Sequence, residues 1–395
     1  MTKKSSMLKK AILGLALTLI LIIPTTALTA HAQLVNTPPN PPPSGVNVKL
    51  VGAGSSFVFP LMSQWRVAYD GANPNVSFTY ASVGSGAGIN QFTAKTVDFG
   101  ATDAPLSKSQ QKAAKNSLTI VESIGAITVA YNIPTGAIKN YVAQTMPSGL
   151  KLDGPTIGKI FEGKIIYWND PAITKQNPGV QLPSARITVV HRSDGSGTTY
   201  AFTNYLSKVD PEWRKDIGSS TSVPWRAGIG APNNAGVANY IIRTPYSIGY
   251  VELAYAMQNH MSYASVLNGE GTAYLAPTIS TTAAAASTAT NLPQSNGDWS
   301  KVSITDAPGS NSYPIASFTY IVAYQNRDVL KNTDINRATT LVHMLYWMVT
   351  DGQQYASKLW YVPLPTNIQE IDLAGLQMFK FKGQALWTDT TNSTS

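Results

Sequence analysis

VSFTYASVGSGAGINQFTAKTVDFGATD, Val76 to Asp103, sets a strand pattern, a glycine–serine turn, a helix pattern and a second strand in immediate succession. Val76 to Ala81 reads as a strand. Gly84-Ser85-Gly86-Ala87-Gly88 turns the chain, and a helix is expected from about Ile89 to Ala94. Asp98-Phe99-Gly100 opens a short strand that ends at Thr102-Asp103. Strand, small-residue turn, helix and strand in that order mark an α/β sheet. The pattern extends upstream. Val48 to Val51 alternates as a short strand that Gly52 is expected to break. Val58 to Tyr69 follows as a helix with Leu61, Met62, Trp65 and Ala68 near one face. Downstream, Ile124 to Asn132 is a long strand of buried type, and Ile157 to Phe161 and Ile187 to Val190 continue the alternation. Phe318 to Ala323 is another apolar strand. Ile335 to Thr350 is a helix whose Leu341, Met344, Leu345 and Met348 stripe belongs to a core. Thr278 to Thr290, TISTTAAAASTAT, is low in complexity; its alanines favour an exposed helix over a flexible linker.

The chain has 395 residues, enough for two domains with cores of their own, and its 43% hydrophobic content indicates a globular protein. Charged residues make up only 13%. At the N-terminus Lys3, Lys4, Lys9 and Lys10 precede an apolar run, Ala11 to Ile23, and Ala30-His31-Ala32 supplies an A-x-A pattern ahead of Gln33. Residues 1–32 therefore read as a secretory signal, with an uncleaved membrane anchor as the alternative. Removing the four lysines takes the formal charge from +8 to +4, since the segment holds no acid. That balance is too weak and scattered to indicate nucleic acid. Residues 33–47 include TPPNPPPSG, a semi-extended proline-rich spacer. The tail from about Thr388 is polar. Sequons stand at Asn75 and Asn392. Cysteine is absent, which excludes disulfides, thiolate catalysis, Cys-ligated metal and a lipid-modified N-terminal cysteine.

Three segments share one design. Gly54-Ser55-Ser56-Phe57, Gly84-Ser85-Gly86 and Ser196-Gly197-Thr198 each place small hydroxyl residues and free N–H groups at the start of a helix. Helix N-termini favour anions, and hydroxyls add donors at short range. A single such turn is an ordinary N-cap; three in one exported α/β chain suggest a shared anion. Arg192 adds a fork of donors suited to two oxygens of a tetrahedral oxyanion, and Asp194 is placed to steady it. Asp103 ends a strand near these turns. A carboxylate there assists an anion only if the anion carries a proton to donate. Enzyme readings are poor. His191 precedes Ser196 without a G-x-S-x-G elbow, Phe57 stands where a dinucleotide fingerprint needs its third glycine, and no H-E-x-x-H or acidic metal cluster occurs.

At this point the residues resemble a known family, the phosphate-specific substrate-binding proteins of ABC importers. The matching pieces are VGAGSSFVFPLMSQW, SVGSGAGINQFTAKTVDFGATDAPLS, GKIIYWNDPAI, RSDGSGTTYAFTNYLSKV, SIGYVELAYA and YASKLWYVPLP, in the family's order across most of residues 48 to 365. The resemblance implies a two-lobed α/β periplasmic-binding-protein fold of the type II, Venus-flytrap kind, each lobe a mixed sheet flanked by helices. The first lobe would comprise 48–124 and 313–390, the second 125–312, with crossings near Ile124 to Thr128 and Ser310 to Pro314. Carried over by position, the phosphate contacts fall on Ser56, Phe57, Ser85, Asp103, Arg192, Ser196, Gly197 and Thr198, with Asp194 supporting Arg192. Ser56 replaces the family's usual threonine. His191 and Gly86 depart from a frequent basic residue and a second serine. No cofactor, metal or catalytic residue is implied.

The function so implied is extracytoplasmic capture of hydrogen or dihydrogen phosphate by a monomer. Delivery would be to the permease subunits of an ABC importer, at the cell surface or in the periplasm, with tethering if the signal persists. Alternatives are a binding protein for sulfate, molybdate or another oxyanion, a surface phosphate sensor, and a secreted phosphatase using Ser196 or Ser85.

Overall fold

A computed structural model describes residues 38–139 and 142–387. The segment read as a signal, the start of the spacer, and the tail with Asn392 lie outside the described residues. Among the described residues no helix is long and apolar enough to cross a membrane.

The elements that build the body, in chain order, are β1 (Val48–Gly54), α1 (Phe59–Ala72), β2 (Val76–Ser82), α2 (Ser85–Thr93), β3 (Phe99–Thr102) and β4 (Ser117–Asn132). They continue with β5 (Thr188–Arg192), α3 (Gly197–Val209), β6 (Ile229–Ala231), α4 (Asn233–Arg243) and β7 (Ser247–Glu252). Then come α5 (Leu253–Gln258), α6 (Ile279–Ser287), β8 (Ala316–Tyr324), α7 (Ile335–Val349) and α8 (Thr366–Leu376). The main sheet has nine strands. Eight run in the order β2-β1-β3-β8-β4-β7-β5-β6, and the ninth, Ser262–Tyr263, pairs on β4.

Pairing is parallel within β2-β1-β3 and within β7-β5-β6, and antiparallel at β3-β8, β8-β4 and β4-β7. β4 carries the join. Ser117 to Ala126 pairs with β8, and Ile127 to Asn132 pairs with β7. Nearly all of β4 is buried, so it shows no apolar–polar alternation, as expected of a strand covered on both faces. It begins at Ser117, seven residues before the Ile124 start expected from the apolar run.

Three local expectations are corrected. Gly52 does not end β1; it pairs with Tyr80 and Phe99, and a Cβ there would sit 2.2 Å from the Phe99 ring. The glycine makes room for an aromatic ring within a continuing strand. The helix after the glycine–serine turn starts at Ser85 instead of Ile89, because Gly84, at φ 88°, takes the N-cap. The alanine-rich segment is helix α6 but not an exposed one: Thr282, Ala285 and Ala286 are buried against the core. Small side chains let that helix lie close. α7 presents Leu341, Met344, Leu345 and Met348 to the core, and the Asp334 carboxylate caps it by accepting the Arg337 N–H at 2.8 Å.

Candidate functional site

The C-terminal ends of β1, β2, β3 and β5 lead into turns that meet. Gly86 N donates to the Gly195 carbonyl at 2.8 Å, so the turn before α2 touches the turn before α3. The approaches leave room only for glycine: a Cβ on Gly84 would lie 2.2 Å from Asp194 Oδ2, and one on Gly197 would lie 2.6 Å from the Cβ, backbone N and Oδ2 of Asp103, in the turn after β3. Ser55, Ser56, Ser85, Asp103, Arg192, Ser196 and Thr198 are all buried.

Their hydrogen bonds form one network. Ser56 Oγ accepts from the Asn234 backbone N (3.0 Å) and Nδ2 (3.1 Å). Thr198 Oγ1 accepts from Asn234 Nδ2 (3.1 Å) and Arg192 Nη1 (3.3 Å). Ser85 Oγ accepts from Gly197 N (3.1 Å) and Asp103 N (3.4 Å). Ser196 Oγ caps α3 by accepting from Thr199 N at 3.0 Å. Each of these oxygens is used as an acceptor, and each hydroxyl keeps its own hydrogen to give away. Among the described residues none of the four donates to the protein. Ser55 differs: its Oγ donates to Asp103 Oδ1 at 2.6 Å.

Arg192 ends β5. Its Nε and Nη2 bind the two Asp194 oxygens at 2.8 and 2.5 Å, a bidentate pair that fixes the guanidinium plane. Burial would raise the Asp194 carboxyl, but the hydrogen bonds and charge of Arg192, with the Asn233 N–H, outweigh it and hold the group below its ordinary range. Asp103 ends β3. Its Oδ1 takes both Ser55 and Thr319 Oγ1 (2.9 Å), and Oδ2 accepts nothing among the described residues. Burial pushes its carboxyl up to about 6; Ser55, Thr319 and the Arg192 charge restrain the rise.

The structure thus brings together Ser56, Ser85, Asp103, Arg192, Asp194, Ser196, Gly197 and Thr198. Two expected backbone donors are committed elsewhere in this arrangement. Phe57 N is given to Ser55 Oγ at 2.9 Å, and Gly197 N to Ser85 Oγ. The Phe57 ring packs on Tyr361, whose hydroxyl donates to the Phe57 carbonyl at 2.6 Å. His191 stacks on Trp225 (4.7 Å between centroids, 15° between planes), with Nδ1 3.0 Å from the Arg192 carbonyl. Burial lowers its pKa, so it adds no charge near neutrality.

Sequence reading passed over Ser55 as an individual, Asn234, Thr319 and Tyr250. Asn234 is wholly buried, ties Ser56 to Thr198, and through Oδ1 accepts Glu252 N at 3.0 Å. Its signal was present: GAPNNAG is a fourth small-residue turn opening a helix, α4. Tyr250 OH meets Thr199 Oγ1 at 2.6 Å and accepts Arg192 N at 3.1 Å. Thr319, within the apolar run FTYIVA, offers no local signal.

Residues 29–349 match a family model described as a PBP superfamily domain. A phosphate-binding protein PstS of Xylella fastidiosa (strain 9a5c) is 41% identical over 340 residues, covering 85% of this chain and 86% of the relative. One from Methanocaldococcus jannaschii is 34% identical over 388 residues, covering 94% and 96%. Among solved structures, a human phosphate binding apolipoprotein aligns with a TM-score of 0.64 at 17% identity, over 82% of this chain and 93% of that one. PfluDING, a high affinity periplasmic phosphate-binding protein bound with phosphate, aligns at 0.63 and 18%, over 83% and 93%.

Proposed function

The chain belongs to the PBP superfamily and, within it, to the family of the PstS phosphate-binding proteins, and from that premise we propose that it captures inorganic phosphate outside the cytoplasm and hands it to an ABC-type importer. One observation carries the reading. Four buried hydroxyls with unspent hydrogens and a clamped guanidinium share a network with one carboxylate oxygen that has no donor. Donors alone would suit any tetrahedral oxyanion. The bare Asp103 Oδ2 requires one that brings a proton, which hydrogen phosphate does and sulfate at neutral pH does not.

Ser56, Ser85, Ser196 and Thr198 then give hydroxyl hydrogens to phosphate oxygens, and Arg192 supplies positive charge. Gly197 lets the ligand-bearing turns approach Asp103. Phe57 N and Gly197 N would exchange their serine acceptors for phosphate oxygens. A dehydrated site must satisfy every oxygen from the protein, and sites built on a buried hydrogen bond reject an analogue lacking it by ~10⁴-fold or more. We take the two halves of the sheet, 48–124 with 313–390 and 125–312, as lobes that hinge where the chain crosses between them. Export by the N-terminal segment, a monomeric state, docking on permease subunits and the lack of catalysis complete the reading.

The test is equilibrium dialysis of the refolded protein against labelled phosphate. Saturable binding of one phosphate per chain is expected. Absence of binding, or turnover of a chromogenic phosphate ester, would overturn the reading.

A further inference from the structure

Thr319 stands between two buried carboxyl groups. Its Oγ1 lies 2.9 Å from Asp103 Oδ1 and 3.0 Å from Glu122 Oε1. A threonine hydroxyl has one hydrogen and cannot serve two carboxylates. Asp103 Oδ1 also receives Ser55. Glu122 is wholly buried, and among the described residues its side chain hydrogen-bonds only to Thr319 and its Oε2 has no hydrogen-bond partner. Among the described residues no cation pairs with Glu122. A second ionised carboxylate here would be desolvated, unpaired and beside a like charge. A carboxylic acid resolves the count: the Glu122 O–H donates to Thr319 Oγ1, and the Thr319 O–H donates to Asp103 Oδ1.

We propose that Glu122 is a protonated positioning residue that acts through Thr319 to hold the Asp103 carboxylate charged and turned, with Oδ2 presented to the proton of the ligand. The inference rests on the phosphate reading above. It adds a second buried proton on which capture depends. Losing it places a negative charge behind Asp103 and reverses the Thr319 hydroxyl.

The surroundings agree. Burial pushes Glu122 up to about 8; the Thr319 hydrogen bond opposes this and the Asp103 charge adds to it. Glu122 also acts on Tyr80 on β2, whose own pKa is raised by burial and by Glu122; Asp103 interacts with Arg192, which restrains its rise, and adds to the burial-driven upward shifts of Tyr255, Tyr320 and Tyr361, while Asp372 on α8 accepts Val121 N at 2.8 Å. Burial holds Glu252, at the end of β7, well above its ordinary range, with the Ala254 N–H and the Tyr361 hydroxyl opposing the rise. Gln353 Nε2 donates to the Glu122 carbonyl and carries no charge.

The test compares phosphate affinity of the full chain and Glu122→Gln from pH 7 to about 9.5. Glutamine keeps a neutral group that can donate to Thr319. At pH 7 the variant should bind within about threefold of the parent. Toward the alkaline limit the parent should weaken about 30-fold relative to the variant, because only its protonated fraction is competent. Parallel pH profiles, or a folded variant that loses binding at pH 7, would overturn the inference. If Glu122→Gln does not fold, Thr319→Val should shrink the alkaline loss and Thr319→Ser should keep it; the reverse pattern overturns the inference. Infrared difference spectra supply an arm independent of ligand. A protonated-carboxyl band should vanish on alkalinisation in the parent and be missing from Glu122→Gln. If no such band is assignable to Glu122, the inference fails. Absence of phosphate binding by the parent overturns the phosphate reading instead, and the infrared arm still decides the proton.

Discussion

Replacing Asp103 with asparagine keeps the shape of the site and reverses one hydrogen bond. The asparagine oxygen can still accept Ser55 and Thr319, while its amide nitrogen takes the place of Oδ2. Hydrogen phosphate then meets a donor where it needs an acceptor, and sulfate meets a donor where it previously faced bare negative charge. A buried hydrogen bond to a charged group is worth about 1.5–3 kcal/mol, so phosphate should lose roughly 10- to 150-fold in affinity. Sulfate should gain a comparable factor, collapsing most of the discrimination. Stability moves the other way. The Asp103 carboxyl sits at about 6 against an unperturbed 3.8; two units correspond to about 3 kcal/mol of penalty for holding the charge in the folded, ligand-free protein at pH 7. The sign follows from the raised folded-state value: the folded protein binds this proton more tightly, so stability from this group is greatest below about pH 4 and declines as pH rises to 6. Asp103→Asn should therefore be more stable than the parent at pH 7, by up to about 3 kcal/mol, with the gap closing toward pH 4. Calorimetric titration with both anions and urea unfolding at the two pH values read these effects. A variant that rejects sulfate as strongly as the parent, or that is less stable at pH 7, refutes the reasoning.

Asp194→Asn should free the Arg192 guanidinium and weaken phosphate binding by about 10- to 100-fold, as expected of a broken charge-assisted pair. Because Arg192 holds the Asp194 carboxyl below its ordinary range, the parent should lose more stability than the variant as pH falls through the acidic range, which acid titration of folding checks. Asn234→Ala removes the side-chain bonds to Ser56, Thr198 and Glu252 N and should cost about 1–3 kcal/mol in urea unfolding, with a loss of phosphate affinity. Gly197→Ala wedges a methyl group against Asp103 and should lower affinity more than about 100-fold, while the ligand-free melting temperature changes little if the lobes part there.

Much of this site was legible because its chemistry is local. Ser56, Ser85, Ser196 and Thr198 announce themselves as hydroxyls at helix starts, and Asp194 lies two residues from the arginine it clamps. Asp103 was legible as a charge out of place at a strand end. Thr319 and Glu122 were not: each lies inside an apolar strand, and what gives them meaning is the β4–β8 and β3–β8 pairing, which brings together residues about two hundred positions apart. The Gly52 misreading has a similar origin. A glycine inside a strand pattern looks like a break until the Phe99 ring, from a neighbouring strand, is seen to fill the space. The buried face of α6 also depended on a partner, the long β4 strand and its cover, that composition alone does not reveal.

The central claim is that this site takes a tetrahedral oxyanion that carries a proton. The most direct measurement is calorimetric titration of the full chain, freed of ligand by unfolding and refolding, with phosphate and then with sulfate at neutral pH. The account predicts tight binding of one phosphate per chain and no heat from sulfate. Equal binding of the two anions would contradict it.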